Sequence, residues 1–223
     1  MALIACVALA GCAERVATID IPYLPQSGAV SVAQSGAFTL VAVDERTAVR
    51  DRVALIKTEA GFARANIAAE GDIAERAANA VRQELETLGF RSGPGGVALT
   101  LFVTRFHTAS AAGGTVASVA LALQVADRDG IVIYETETEG GAVEPVASVD
   151  AKTARAALTG AFHNAVAGFV FDKRLRQAIV TGRVPAQPER ILDAGLDSAK
   201  RHHRALAMRG MGVADISSLR RGA

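Results

Sequence analysis

Cysteine, tryptophan and surplus charge are all scarce in this chain of 223 residues. It has two cysteines and no tryptophan, and aromatic residues make up 4% of it. A core built from such a sequence is filled mainly by Val, Leu, Ile and Ala side chains. The formal net charge of +1 gives no strong attraction to nucleic acid or to an anionic surface. We therefore expect no nucleic-acid partner.

Long apolar runs are also lacking, since nothing after Cys12 approaches the roughly 20 residues of a membrane-spanning helix. A short apolar stretch does precede Cys12 and ends Leu9-Ala10-Gly11-Cys12. This pattern is typical of a bacterial lipoprotein signal, in which segment 1–11 is removed and the cysteine is acylated. Cys6 lies in the removed segment, so no free thiol would remain.

The signal lacks the basic residues with which such segments normally begin. A start codon upstream of Met1 would explain this lack. The alternative is that Ala2–Leu9 is a buried strand or helical turn.

The domain boundaries follow from composition. Residues 12–36 contain scattered proline and glycine and predict a lipidated N-terminus with a flexible linker. Residues 37–182 predict one α+β domain, within which 47–70 is an irregular loop. Residues 183–223 form a basic extension that can be helical.

The order of elements predicts the fold class. A strand over 37–43 precedes a helix that begins at the cap Asp72 and ends at Gly89. Three strands (97–106, 115–126 and 131–139) and a long helix from Ser148 or Asp150 to about Val180 follow. We expect an α+β two-layer sandwich: a mainly antiparallel four-stranded sheet, in the order β-α-β-β-β-α, with both helices on one face.

Periodicity predicts which faces are buried. The glutamates Glu135, Glu137 and Glu139 alternate along the last strand and indicate that the uncovered sheet face meets solvent. The apolar helical positions predicted to face the core are Ile73, Ala77, Val81, Leu85, Leu88, Leu158, Phe162, Val166, Phe169 and Ile179.

With these features the chain resembles the YajG family of bacterial lipoproteins over roughly residues 12–181. The resemblance rests on the lipobox at Cys12, the strand Leu40–Val43 leading into Asp44-Glu45-Arg46, and the helix end Leu85-Glu86-Thr87-Leu88-Gly89-Phe90. The central strands and the helix Ala154–Ile179 also fit. It implies an envelope lipoprotein and supplies no catalytic residues. Auxiliary lipoproteins of ABC-type transport systems have a similar architecture.

Two charged groups are candidate partner-binding sites. Asp44 and Arg46 end the first strand, where the alternative is a strand terminator with a local ion pair. Lys200, Arg201 and Arg204 lie in the basic extension, where the alternative is a solvated tail or a helix packed on the domain.

No metal or cofactor site is expected. The four histidines (His107, His163, His202 and His203) lack further ligands at zinc spacing. No set of nucleophile, base and acid can be assembled, so an envelope hydrolase is disfavoured and no enzymatic activity is predicted.

These observations predict a non-catalytic, lipid-anchored envelope lipoprotein that binds a protein partner in the periplasm. Its membrane contact would be the acyl chains on Cys12. In the lipoproteins that this chain resembles, Asp after the cysteine favours the inner membrane. Ala13 stands at that position here, so the resemblance implies the outer membrane. The alternative is an auxiliary lipid- or ligand-binding subunit of an ABC-type transport system, which requires an apolar pocket between sheet and helices.

Overall fold

A computed structural model describes residues 15–25, 36–46, 52–57, 63–146 and 149–184. The strands in these ranges are β1 (Arg15–Ile19), β2 (Ala37–Asp44), β3 (Ala54–Lys57), β4 (Ala63–Ala69), β5 (Arg91–Ser92), β6 (Val97–Ala111), β7 (Gly114–Ala126) and β8 (Val132–Glu144). The helices are α1 (Ile73–Thr87), α2 (Ala151–Phe171) and α3 (Lys173–Thr181).

The larger sheet has five strands in the order β5-β2-β6-β7-β8. Strand β2 pairs in parallel with β5 and β6, and the β6–β7 and β7–β8 pairs are antiparallel. The α+β class is confirmed, but the single, mainly antiparallel four-stranded sheet is wrong. The helix α1 carries the chain back across the sheet, and such a crossover places β6 parallel to β2.

A second sheet of three strands lies where the sequence predicts a linker and a loop. Strand β1 pairs in parallel with β4, and β3 pairs antiparallel with β4. The Thr108 amide of β6 donates to the Val53 carbonyl at 2.8 Å and joins this sheet to the larger one. Residues 15–25, predicted as flexible linker, thus form β1 and a segment in which Ile21 is fully buried.

Helix α1 begins and ends where the sequence predicts. The Asp72 carboxylate accepts hydrogen bonds from the amides of Ala74 (2.7 Å) and Glu75 (3.3 Å). Gly89 adopts a φ of 93° just after the helix, which suits glycine because a Cβ disfavours this region.

The predicted second helix is divided at Asp172. This residue has an extended ψ of 101°, ends α2 and caps α3 by accepting from the amides of Arg174 (2.9 Å) and Leu175 (3.2 Å). The Tyr134 hydroxyl of β8 donates to the same carboxylate at 2.7 Å. A prediction of one continuous helix to Val180 is therefore wrong, because the cap and the tyrosine both hold Asp172 outside helical geometry.

Helices α1 and α2 contact each other and pack on the same sheet face. All ten predicted core positions of the helices are buried. The backbone of α2 lies directly on β8, since a Cβ added to Gly140 would stand 1.9 Å from the Ala161 carbonyl oxygen. One added to Gly168 would stand 2.6 Å from the Thr138 methyl carbon. The layer between α2 and β8 is consequently closed.

None of the helices in the described ranges combines the length and the apolar character needed to cross a bilayer.

Candidate functional site

Asp44 and Arg46 line a surface cleft of about 470 Å³. It forms because the C-terminal end of β2 meets the turn between β4 and α1. Its other lining residues are Ala68, Ala69, Gly71, Asp72 and Ile73. The structure thus brings the first pair of predicted site residues to the start of a helix.

The charges in this cleft are engaged within the protein. Arg46 is buried, and its Nε and Nη2 donate to the two carboxylate oxygens of Asp44 at 2.8 and 2.7 Å. The Arg46 amide donates to Asp44 Oδ1 at 3.1 Å, and the Asp72 carboxylate caps α1. The local ion pair foreseen at this strand end therefore exists, whereas a role of Asp44 and Arg46 in binding a partner stays a prediction.

A polar cluster that sequence reasoning missed joins three distant segments. The Tyr23 hydroxyl donates to Oε1 of the buried Glu84 on α1, at 2.5 Å. The His163 ring of α2 packs edge-on against Tyr23, with ring centroids 4.6 Å apart, and its Nε2 accepts from the Leu24 amide at 3.4 Å. The cluster clamps the segment after β1 between the two helices.

Burial sets the protonation of this cluster. The pKa of Tyr23 is raised by burial and by its hydrogen bond to the Glu84 carboxylate, so the phenol keeps its proton. Burial lowers the pKa of His163, although the Glu84 charge and a hydrogen bond to the Pro22 backbone oppose this. Tyr23 keeps its proton and His163 is hydrogen-bonded to the backbone. The two residues are therefore suited to holding the chain in place and less suited to transferring a proton to a ligand.

In the described part of the chain, the second face of the five-stranded sheet is exposed and partly apolar. Val41 and Val43 of β2 are 60% and 42% exposed on this face. Val43 lies beside the half-buried Phe102 of β6, which in turn lies beside Ala122 of β7. We call these four residues the sheet patch.

A row of carboxylates borders the sheet patch. Glu135, Glu137 and Glu139 of β8 lie opposite Gln124, Ala122 and Ala120 of β7, on the same outer face. Glu139 pairs with Arg105 at 2.6 Å, and Glu135 accepts from the Gln124 amide nitrogen at 2.9 Å. The exposed glutamate row agrees with the prediction that this face meets solvent. It gives the border of the patch a negative charge.

A second depression of about 590 Å³ lies at the other end of the sheet. The turn between β7 and β8 and the end of α3 line it, with Arg128 and Val180 among its residues. Nη2 of Arg128 donates to the Gly95 carbonyl at 2.6 Å, so this arginine braces the loop before β6.

The remaining predicted site residues (Cys12, Lys200, Arg201 and Arg204) lie outside the described residues. Across the described ranges, no three His, Cys, Asp or Glu side chains are grouped closely enough to hold a metal ion. His107 and His163 stand apart on β6 and α2.

Comparison with known proteins shows that this chain shares its fold with a solved structure. No family model matches the chain, and no curated protein matches it in sequence. The crystal structure of protein XCC0632 from Xanthomonas campestris, of family DUF330, is 15% identical. It matches with a TM-score of 0.52 over 75% of this chain and 96% of that one.

Two further solved structures are more distant. Protein CT253 from Chlamydia trachomatis is 10% identical, with a TM-score of 0.42 over 66% of this chain and 99% of its own. Lipoprotein GNA1162 from Neisseria meningitidis is 14% identical, with a TM-score of 0.27 over 49% of this chain and 84% of its own. None of the three is described as a YajG protein, so that family resemblance stays a prediction. What the comparison with XCC0632 establishes is the α+β fold that the two chains share.

Proposed function

We propose that this chain is a non-catalytic, lipid-anchored lipoprotein of the bacterial envelope that binds a protein partner through the sheet patch. The observation that carries the proposal is the uncovered face of the five-stranded sheet. Val41 and Val43 are exposed there next to Phe102, although the other face of the same sheet is packed by helices. Grouped apolar side chains on an open surface are typical of protein–protein contacts.

The border of the patch defines the partner's chemistry. The glutamate row of β8 favours a partner whose apolar contact surface is flanked by Lys or Arg. Opposite charges at the rim of an interface chiefly guide association and orient the two surfaces. The partner is therefore expected to be a protein with an apolar strip beside a basic one.

Lipid attachment at Cys12 supplies the membrane contact in this proposal, with the domain in the periplasm and the outer membrane as the site. The lipobox pattern and Ala13 support it. Attachment to one membrane raises the effective concentration of a partner held at the same membrane, so a weak patch contact suffices.

The interior argues against the alternative of an auxiliary lipid- or ligand-binding subunit. That function needs an apolar chamber between sheet and helices, whereas α2 touches β8 through Gly140 and Gly168. The side chains of Leu158 and Phe162 are fully buried in the same layer. We therefore favour binding at the surface.

Site-specific photocrosslinking in intact cells tests the proposal. A photoreactive residue at Val41 or Val43 is expected to capture one protein, and the same residue at the exposed Gln83 of α1 serves as the matched control. Mass spectrometry should place the crosslink next to Lys or Arg in the partner. The double change Glu135→Lys and Glu137→Lys should lower the yield of the adduct, because it reverses the charge at the border of the patch.

Equal capture at Gln83 would show that the sheet patch is not a specific binding surface. An adduct whose yield is unchanged by both charge reversals would contradict the proposed role of the glutamate row. A partner peptide without basic residues would overturn the proposed chemistry.

A further inference from the structure

The end of the domain formed by α3 is positively charged and exposes large apolar side chains, whereas the sheet patch is bordered by negative charge. Residues 173–184 contain four cations and no carboxylate, whereas β8 contains four glutamates and no cation. The cations are Lys173, Arg174, Arg176 and Arg183. Within the described part of the chain, none of them has a carboxylate within ion-pair distance.

Large apolar side chains are exposed in the same segment. Phe171, the last residue of α2, is 77% exposed, although the preceding Phe169 and Val170 are buried. Val180 and Val184 are 44% and 69% exposed. Contact of these side chains with another apolar surface would remove this area from water and so be favourable.

Helical spacing places three of these residues on one side of α3. Lys173, Arg176 and Val180 are three and four positions apart, which puts them on one face of α3. The buried residues Leu175, Ala178 and Ile179 hold the opposite face against the domain. The outer face of α3 is therefore basic and partly apolar, with Phe171 at its start.

Arg174 belongs to the fold rather than to this outer face. Its guanidinium lies over the Tyr134 ring, 5.1 Å from the centroid, and Tyr134 in turn holds the Asp172 carboxylate. Asp172 also caps α3, so the carboxylate at the start of the basic face is engaged inside the protein, whereas Asp127 and Asp129 line the depression beside Val180. The outward charge is thus carried by Lys173, Arg176 and Arg183.

We propose that Phe171, Lys173, Arg176, Val180 and Arg183 form a docking surface for an anionic phospholipid bilayer. The lysine and arginines would contact headgroup phosphates, while Phe171 and Val180 would enter the boundary between headgroups and acyl chains. Charge complementarity selects this occupant, because three outward cations with exposed apolar neighbours match phosphate beside hydrocarbon. The contact is separate from the sheet patch and from the anchor at Cys12.

Vesicle flotation with the full chain tests this surface. The chain carries Cys12→Ser so that acylation adds nothing, and the vesicles contain phosphatidylcholine alone or equal parts of phosphatidylglycerol and phosphatidylcholine. We expect binding to the anionic vesicles that weakens strongly between about 0.1 and about 0.5 M salt. The double change Lys173→Glu and Arg176→Glu should reduce it at least about 25-fold, since each cation contributes about fivefold.

Matched variants separate the α3 surface from other basic regions. Lys152→Glu with Arg82→Glu makes the same change in net charge on α2 and α1 and should leave binding unchanged. Phe171→Ser should weaken binding about tenfold without altering its salt dependence. Thermal melts of each variant confirm that the fold is retained.

Three results with vesicles would overturn the proposal. One is equal binding to neutral vesicles, and another is absence of binding to both vesicle types. The third is binding that persists in the α3 variant but disappears when Lys200, Arg201 and Arg204 are changed to Glu. If the α3 variant instead changes only the mass in light scattering, the surface is a contact between copies of the chain.

Discussion

His163 holds the segment after β1 in a way that depends on its protonation state. Its Nε2 accepts from the Leu24 amide, and a protonated imidazole has no lone pair left for that bond. The charged group that faces it is Glu84 from α1, and the Tyr23 hydroxyl already donates to that carboxylate. Protonation therefore removes one bond of the clamp.

The domain is consequently expected to lose stability as the pH falls below about 6.5. Burial lowers the pKa of His163 in the folded chain, so in that window the unfolded chain binds more protons than the folded one. The stability that neutral His163 contributes is fully present above its pKa in the unfolded chain. It is lost as the pH falls through its pKa in the folded chain. Thermal melts from about pH 8 to about pH 5 measure it.

The comparison with His163→Gln isolates this residue. The pKa of His107 is also lowered, by burial and by the Arg105 charge, so His107→Gln is the matched control. The His163 variant should show a flatter dependence of the melting temperature on pH than the control does. Identical curves for the two variants would mean that the clamp histidine contributes nothing to the pH response.

Between elements, the close contact of α2 with β8 depends on Gly140. Gly140 lies under the Ala161 carbonyl, whereas a Cβ added to the neighbouring Gly141 has its nearest atom at 3.9 Å, the Ala117 carbonyl oxygen. The two residues share a strand but point to opposite faces of the sheet. Comparing alanine substitutions at Gly140 and Gly141 therefore tests how closely α2 must approach β8.

Gly140→Ala should destabilise the domain by about 2–3 kcal/mol, because the added methyl group forces α2 away from β8 and opens the layer around Phe162. Gly141→Ala should change stability by less than about 0.5 kcal/mol, since that side is open. Urea unfolding of both variants gives the difference. Equal losses would show that the spacing of helix and sheet is not set at Gly140.

Elements with local signals were predictable from the sequence. Asp72 and Gly89 mark the two ends of α1. The alternation of apolar and polar residues along β6, β7 and β8, together with the Asp127–Gly130 turn, predicts the antiparallel part of the sheet. Asp172 does carry a local signal, since aspartate favours helix caps. The helical spacing of apolar residues from Phe169 to Ile179 continues past it and predicts one unbroken helix instead.

The three-stranded sheet and the Tyr23 cluster could not be derived in this way. Strand β1 has only five residues, and four of the seven residues of β4 are alanine. Arg15 pairs with Ala65 across a long stretch of chain. Tyr23 and Glu84 are 61 residues apart, and Leu24 and His163 are 139 apart. Such contacts depend on which segments the finished fold brings together, which a single sequence does not show.

At the scale of the whole molecule, the two proposed surfaces and the proposed anchor have separate roles: the anchor and the α3 surface contact the membrane, and the sheet patch contacts a protein. The sheet patch is bordered by carboxylates, and the α3 surface carries cations. An anionic bilayer would repel the first and attract the second. Binding of lipid at α3 would therefore leave the sheet patch available for a protein partner.

The anchor itself is tested by where the protein resides. The wild-type chain should incorporate labelled palmitate and fractionate with the outer membrane, whereas Cys12→Ser should lose the label. Ala13→Asp should keep the label and move the protein to the inner membrane, because an Asp after the acylated cysteine favours retention there. Loss of label in Ala13→Asp would point to failed processing, and an unlabelled wild-type chain would refute acylation at Cys12. The contact proposed for the α3 surface would be too weak to replace an acyl anchor, so Cys12→Ser should release the protein into the soluble fraction at high salt.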